Sequence, residues 1–298
     1  MKRKSKDEIL MKIIVHVVLL AFVILTIFPM VFTIIISLTD QESLANIGYS
    51  LIPESWSWDA YKYLFQAPAQ LLNGYKNSII ITVGGTIGNV LLTLLMAYPL
   101  SRPDFAYKKF FNVLVFIPML FSGGLVASYM INVNIQGLKN TYWALILPIC
   151  CSSFYVVIMR TFFQTSVPEA IIESAKIDGA RQIRIFLQIV LPISLPSIAT
   201  IGLFFTFAYW NDWMMAKYYL NTNMQSIFPL QYVLITLENN IDFLSRNSQF
   251  MTPGEGHNIP AETVRMAMVM VAVVPIACSY PFFQKYFISG LTIGAVKG

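Results

Sequence analysis

Apolar residues dominate six stretches of the chain, roughly 13–38, 77–100, 110–132, 141–163, 197–217 and 264–288. A helix needs about 20 mostly apolar residues to cross a hydrocarbon core. Backbone groups in lipid must be satisfied within their own segment, which favours helices for open-ended spans. The pattern therefore predicts an all-α polytopic membrane protein, a single transmembrane domain over residues 1–298 with six helices. Two connections are long, 39–76 and 218–263. The second carries Leu230, Val233, Leu234 and Leu237 at helical spacing before a Pro/Gly-rich turn region, predicting a short helix against the membrane face.

The connection 164–196 breaks the apolar pattern. From Glu173 it reads ESAKIDGARQIRIFLQIVLPISLP, with charges of both signs between two apolar runs. Ser166-Val167-Pro168-Glu169 has capping-box spacing with proline in the first turn, predicting a rod over Val167–Asp178. Val167, Ile171 and Ala175 fall on one face, with Glu169, Glu173 and Lys176 elsewhere. Asp178-Gly179 predicts the helix stop. A second amphipathic piece sets Ala180, Ile183, Leu187 and Val190 against Arg181, Arg184 and Gln188, until Pro192 and Pro196 restart the chain as the fifth span. Such an elbow either packs on the inner ends of the spans or lies along the membrane surface as a simple connector. Pattern alone leaves both open.

Composition agrees with bilayer: 56% of residues are hydrophobic, 12% are charged and mean hydropathy is +0.64. Soluble domains carry about 25% charged residues. The net charge of +5 does not imply nucleic acid, because the bases are distributed by side of the membrane. With the N-terminus inside and span-end residues counted with their nearer side, the inner side holds 14 of the 20 Lys and Arg, so the positive-inside bias selects an N-in, C-in orientation. Trp56, Trp58, Trp143 and Trp213 then fall near outer boundaries, where interfacial aromatics belong. The basic start resembles a signal peptide, but its apolar run is too long for an h-region and no cleavage site follows, predicting an uncleaved first span.

Several chemistries find no support. Cys150, Cys151 and Cys278 lie in apolar runs and read as small core residues. No G-x-x-x-x-G-K-[ST] occurs, so ATP chemistry would have to come from another polypeptide. His16 and His257 form no metal-ligand pattern, and His16 reads as helix-bonded or buried. No nucleophile–base set assembles. A secondary carrier is the rival class, yet the cores of the first four spans hold no Asp or Glu; Asp212 and Glu262 lie near span ends. Gly84 and Gly88 form G-x-x-x-G beside Gly85, read as internal packing ahead of a subunit interface. Asn77, Asn89, Asn112 and Asn211 read as partners for neighbouring helices.

The order Glu173, Ser174, Ala175, then Gly179, Ile189, Leu191 and Pro192 resembles the EAA loop of ATP-binding-cassette importer permeases, with Ser174 where alanine is usual. The ending QKYFISGLTIGAVKG, together with AYPLSR at 97–102 and YWNDW at 209–213, resembles the polysaccharide-permease branch of the maltose-type carbohydrate permeases. That resemblance implies a cytoplasmic coupling loop at 164–196 between spans four and five, and a cytoplasmic tail at 289–298. It implies ATPase-coupling roles for Glu173, Ser174, Ala175, Lys176, Asp178, Gly179 and Arg181, and ATPase contacts for Thr292, Gly294 and Lys297. Trp210, Asn211 and Trp213 would border a sugar path, or else anchor the membrane interface. The implied partners are a second homologous permease, two ATPase subunits carrying ATP and Mg, an extracellular sugar-binding protein or lipoprotein, an oligosaccharide and membrane lipid. The chain itself would bind no cofactor, and its location would be a bacterial cell membrane.

Overall fold

A computed structural model describes residues 6–66, 68–246 and 260–295. Among them the structure is helical throughout, with no strand beyond an isolated antiparallel bridge between Thr39 and Trp56. Contacts divide the chain into two compact units, residues 1–68 with 237–274, and residues 69–236 with 275–298.

In the first unit, Lys6–Ser37 forms one long apolar helix whose side chains are mostly exposed. His16 Nδ1 lies 2.6 Å from the Lys12 carbonyl, the helix-bonded arrangement expected of it. Asp40 then caps the Gln41–Ile47 helix, its Oδ2 accepting from the Glu42 and Ser43 amides at 3.0 and 3.3 Å. Tyr49 donates to Glu262 at 2.9 Å, and Arg265 joins Glu262 and Asp242 in an ion-pair group.

The six apolar stretches fold in two forms. Lys6–Ser37, Pro68–Ser101 and Ala261–Ala295 are continuous helices, each with a stretch long and apolar enough to cross a membrane. The second starts nine residues before the predicted boundary, and the last runs beyond the predicted end at 288. The other three are bent pairs: Lys108–Leu120 with Gly124–Ile135 at 118°, Trp143–Ile149 with Ser153–Ser166 at 54°, and Gln182–Ile193 with Leu195–Asn211 at 78°. The described residues thus hold three helices long and apolar enough to cross a membrane, or up to six if each bent pair is one span. The first break is at Ser122-Gly123-Gly124, where Gly124 has φ +80°, a conformation that costs glycine little. The second is at Cys150–Ser152, just after Pro148, with Cys151 at φ +62°.

Polar side chains hold these helices together within the second unit. Asn77 Nδ2 donates to the carbonyls of Ser226 and Phe228 at 2.9 and 3.0 Å, while its Oδ1 accepts from Tyr142 at 2.7 Å. Asn112 accepts from Arg160 at 2.6 Å. Asn211 differs from expectation, donating to the Phe207 carbonyl of its own helix at 3.0 Å. The Leu230–Arg246 helix forms where the apolar spacing predicted one, with Leu230, Val233 and Leu234 buried.

The glycine reading needs correction. Gly84 and Gly88 have no neighbour within 4 Å of an added Cβ, so their face is unpacked by the described residues. Gly85 makes the close approach instead: a Cβ there would lie 2.5 Å from the Tyr209 ring. Cys278 is exposed rather than buried, whereas Cys150 and Cys151 are half-buried; all three are free.

Candidate functional site

The polar connection folds as an elbow, but its first arm begins later than the spacing predicted. Ser166 closes the preceding helix Ser153–Ser166, and no capping box forms. Val167 (φ −103°, ψ 106°) and Pro168 (φ −61°, ψ 132°) are extended, and the rod is Glu169–Ile177. The cause is steric: a proline ring disfavours the α conformation in the residue before it. The buried side chains shift accordingly. Val167 and Ile172 are buried and Ala175 half-buried, while Ile171 is exposed.

The predicted stop is present. Gly179 has φ +78°; its amide donates to the Lys176 carbonyl at 3.0 Å, and the Ala180 amide donates to Ala175 at 2.9 Å. Those paired bonds define a Schellman end and satisfy carbonyls that the helix leaves open. The second arm runs Gln182–Ile185, a π-type turn over Phe186–Val190, and Leu191–Ile193. Its inner face matches the predicted one only in part, at Ala180 and Val190. Ile185 and Val190 are fully buried, while Ile183 is 73% exposed and Leu187 54%. The wide π turn over Phe186–Val190 departs from the 3.6-residue repeat on which Leu187 was placed inward.

Glu173, Ser174, Asp178 and Arg181 are all exposed on this elbow, which puts charges of both signs on one short feature. Lys176 is exposed too, but it is engaged: its Nζ lies 2.8 Å from Oδ2 of Asp104, in the turn after the Pro68–Ser101 helix. The Lys176 hydrogen bond holds the Asp104 carboxyl below the ordinary carboxylate range, and the same bond raises the Lys176 ammonium.

The helix that ends at Ser101 also reaches the second arm. Tyr98 donates to Gln182 at 3.0 Å, and its ring centre lies 4.7 Å from that of Phe186. Arg102 is buried at 7% exposure, donating to Ser101 Oγ at 2.9 Å and the Phe163 carbonyl at 3.3 Å, with its guanidinium 5.4 Å from the centre of the Tyr98 ring. Sequence reasoning counted Arg102 only as a charge and gave Tyr98 and Asp104 no role. The available signal was AYPLSRPD itself, where an aromatic, a base and an acid cluster at the end of an apolar run.

Deeper in the same helix, Asn89 is fully buried. Its Oδ1 accepts from the Cys151 amide at 2.7 Å and its Nδ2 bonds the Tyr209 hydroxyl, which donates in turn to the Ile146 carbonyl at 2.9 Å. Asn89 and Tyr209 thus supply partners for backbone groups at the break between Trp143–Ile149 and Ser153–Ser166. Unwound backbone at membrane depth is tolerated where protein satisfies it.

Trp210 is only 5% exposed, Asn211 is exposed and bonded within its helix, and Trp213 lies beyond the helix end. The Lys217 ammonium sits 5.4 Å from the centre of the half-exposed Trp213 ring. In the tail, Thr292 and Gly294 belong to the last helix, while Lys297 lies outside the described residues. Among the described residues no cluster of His, Cys, Asp or Glu fit for a metal occurs.

Residues 89–293 match the family described as "Binding-protein-dependent transport system inner membrane component". The chain belongs to this family of membrane permeases. It is 38% identical over 291 residues to the polygalacturonan/rhamnogalacturonan transport system permease protein YtcP of Bacillus subtilis (strain 168), covering 97% of this chain and 99% of that protein. Protein LplC of the same organism is also 38% identical, over 274 residues, covering 92% and 90% of the two chains. Among solved structures, a bacterial ABC transporter involved in import of the acidic polysaccharide alginate has a chain with a similar fold. Its TM-score is 0.79 at 23% identity, covering 96% of this permease and 100% of that chain. The family match begins at Asn89 and takes in the whole elbow.

Proposed function

We propose that this permease forms half of the translocation pathway of an ATP-driven carbohydrate importer, passing an oligosaccharide delivered by an extracellular binding protein. In this reading the three continuous helices and three bent pairs are six spans, with both termini in the cytoplasm. A second homologous permease completes the pathway, and two ATPase subunits hold ATP and Mg. The elbow is the cytoplasmic coupling loop. Glu169–Ile177 is the rod that seats on an ATPase, Glu173 offers it a carboxylate, and the Gly179 turn gives a defined exit. Ser174, Ala175, Asp178 and Arg181 line the same contact, and the end of the last helix at Thr292 and Gly294, with Lys297, reaches the ATPase pair. Trp210, Asn211 and Trp213 border the sugar path near the outer end of span five, with Trp213 presenting the accessible ring.

The observation that carries this reading is the Schellman-terminated rod with Glu173 exposed on it and Asp178 and Arg181 exposed at its exit, in a chain of this permease family. A short stiff helix bearing accessible charge suits the transfer of movement and contains no chemistry of its own. The substrate class is supported by the relatives, whose names include polygalacturonan/rhamnogalacturonan and, at 28% identity in Halalkalibacterium halodurans, arabinooligosaccharides.

The test is uptake by the assembled importer in proteoliposomes against a panel of oligosaccharides, with and without ATP. Uptake should require ATP, and Glu173→Ala should lower transport-coupled hydrolysis; loss of one charge-assisted contact is worth roughly 1.5–3 kcal/mol. Uptake without any ATPase subunit would instead favour a secondary carrier, and wild-type coupling in the Glu173 variant would remove that residue from the contact.

A further inference from the structure

The elbow is continuous in sequence with the helices before and after it, Ser153–Ser166 and Leu195–Asn211. Any displacement of the rod therefore reaches those two through the backbone. The Pro68–Ser101 helix has no such link, so it moves with the elbow only through side-chain contacts. These contacts are concentrated in seven residues, Tyr98 to Asp104. Asp104 pairs with Lys176 on the first arm at 2.8 Å, and Tyr98 bonds Gln182 and packs on Phe186 of the second. Between them, buried Arg102 bonds the Phe163 carbonyl near the end of the helix leading into the elbow, while Gln164 donates to the Ser101 carbonyl at 3.4 Å.

We infer that Tyr98, Arg102 and Asp104 form a bracket that positions the elbow and couples its movement to the second span. The inference rests on the coupling role proposed above and goes further, assigning the path by which movement reaches a helix not joined to the elbow by the chain.

The three contacts differ in kind, and the difference suits the task. Arg102 is buried and faces carbonyl and hydroxyl oxygens, so it fixes the end of the second span against the end of Ser153–Ser166. Asp104 and Lys176 have side chains 51% and 41% exposed, and such a pair guides direction without locking it. Lys176 lies one helical turn after Glu173, on the same rod, so force arriving at the Glu173 carboxylate passes directly to the Asp104 tether. Tyr98 holds the other side of the Gly179 turn, preventing the two arms from moving independently of the second span.

The bracket can be tested in the assembled importer in proteoliposomes, measuring sugar transported per ATP hydrolysed and co-purification of the ATPase. Asp104→Lys places two ammonium groups together and should lower that ratio about two- to fivefold, the factor equivalent to an exposed ion pair. Combining it with Lys176→Asp should restore at least half of the loss, because the pair is rebuilt with its charges exchanged. A wild-type ratio in Asp104→Lys, or a lowered ratio that the exchange does not recover, overturns the bracket. Should Asp104→Lys fail to assemble, Asp104→Asn keeps the shape and is judged by the same ratio: a fall supports the bracket and no change overturns it. Failure of the importer reading itself looks different, since the unsubstituted complex would then show no ATP-dependent transport.

Discussion

At Asn89, a fully buried side chain in the middle of the Pro68–Ser101 helix, the contacts are short and neutral; at Tyr98–Asp104, where that helix ends, the contacts mix a buried arginine with an exposed ion pair. The middle region serves a broken helix. Cys151 cannot hydrogen-bond within its own segment, and Asn89 supplies the missing acceptor. Close approach makes this workable, since Gly85 leaves room for the Tyr209 ring and the Tyr209 hydroxyl bonds both Asn89 and the Ile146 carbonyl. The Asp104–Lys176 pair at the end is half-exposed, and such charged pairs exchange partners at little cost. One helix is therefore held by neutral hydrogen bonds at its centre, and at its end by a buried arginine together with a half-exposed ion pair.

Gly85→Val strikes the central region hardest. Its Cβ meets a ring that two hydrogen bonds prevent from moving aside, so overpacking should cost about 3 kcal/mol, seen as a lowered unfolding midpoint of the permease in detergent. Gly84→Val, one residue away and facing open space, should leave the midpoint nearly unchanged; equal losses at both positions would break the distinction.

Asn89→Leu tests the satisfied break. It strands the Cys151 amide and removes one partner of Tyr209, with an expected loss of roughly 1–2 kcal/mol by the same measurement. An unchanged midpoint would mean that water or another group substitutes for Asn89.

The end region should respond least in stability. Asp104→Asn is expected to cost below about 1 kcal/mol, even where it alters coupling. Because the folded-state Asp104 value is depressed, its contribution is present above the ordinary carboxylate pKa of about 3.9 and is lost only as pH falls through the lower folded value. Lys176, with its value raised, contributes below its ordinary pKa of about 10.4 and loses that contribution as pH rises through the folded value. The tether is thus intact across neutral pH, and the Asp104→Asn difference should be constant from about pH 5.5 to 8. A difference that varies within that window would place another titrating group in the bracket.

Much of this permease was legible from residue order. Length and apolarity located the helices, Asp178-Gly179 located the turn, and the spacing around Glu173 located the elbow. Local rules succeeded there because a glycine at positive φ, or a run of apolar residues too long for a soluble helix, expresses a constraint within a few neighbouring residues. They failed where two local signals competed. Ser166-x-x-Glu169 has capping spacing, yet Pro168 forced Val167 out of the helical region and moved the start. Periodicity likewise assigned Ile183 and Leu187 to the inner face beside Val190; Val190 is buried as expected, but Ile185 joins it there while Ile183 and Leu187 are exposed.

By itself the sequence determined that this chain is built of apolar helices, where its polar elbow lies and which charges that elbow carries, since those follow from hydropathy and backbone chemistry along the chain. Only the tertiary structure decided that Asn89 serves the broken backbone at Cys151, that Gly85 rather than Gly84 is the close-packed glycine, and that Asp104 and Tyr98 bracket the elbow. Those partners are 62, 72 and 84 residues apart for Asn89–Cys151, Asp104–Lys176 and Tyr98–Gln182, and no local periodicity brings such positions together. Helix packing does, because a buried polar group or a close backbone approach is defined by what another segment places opposite it.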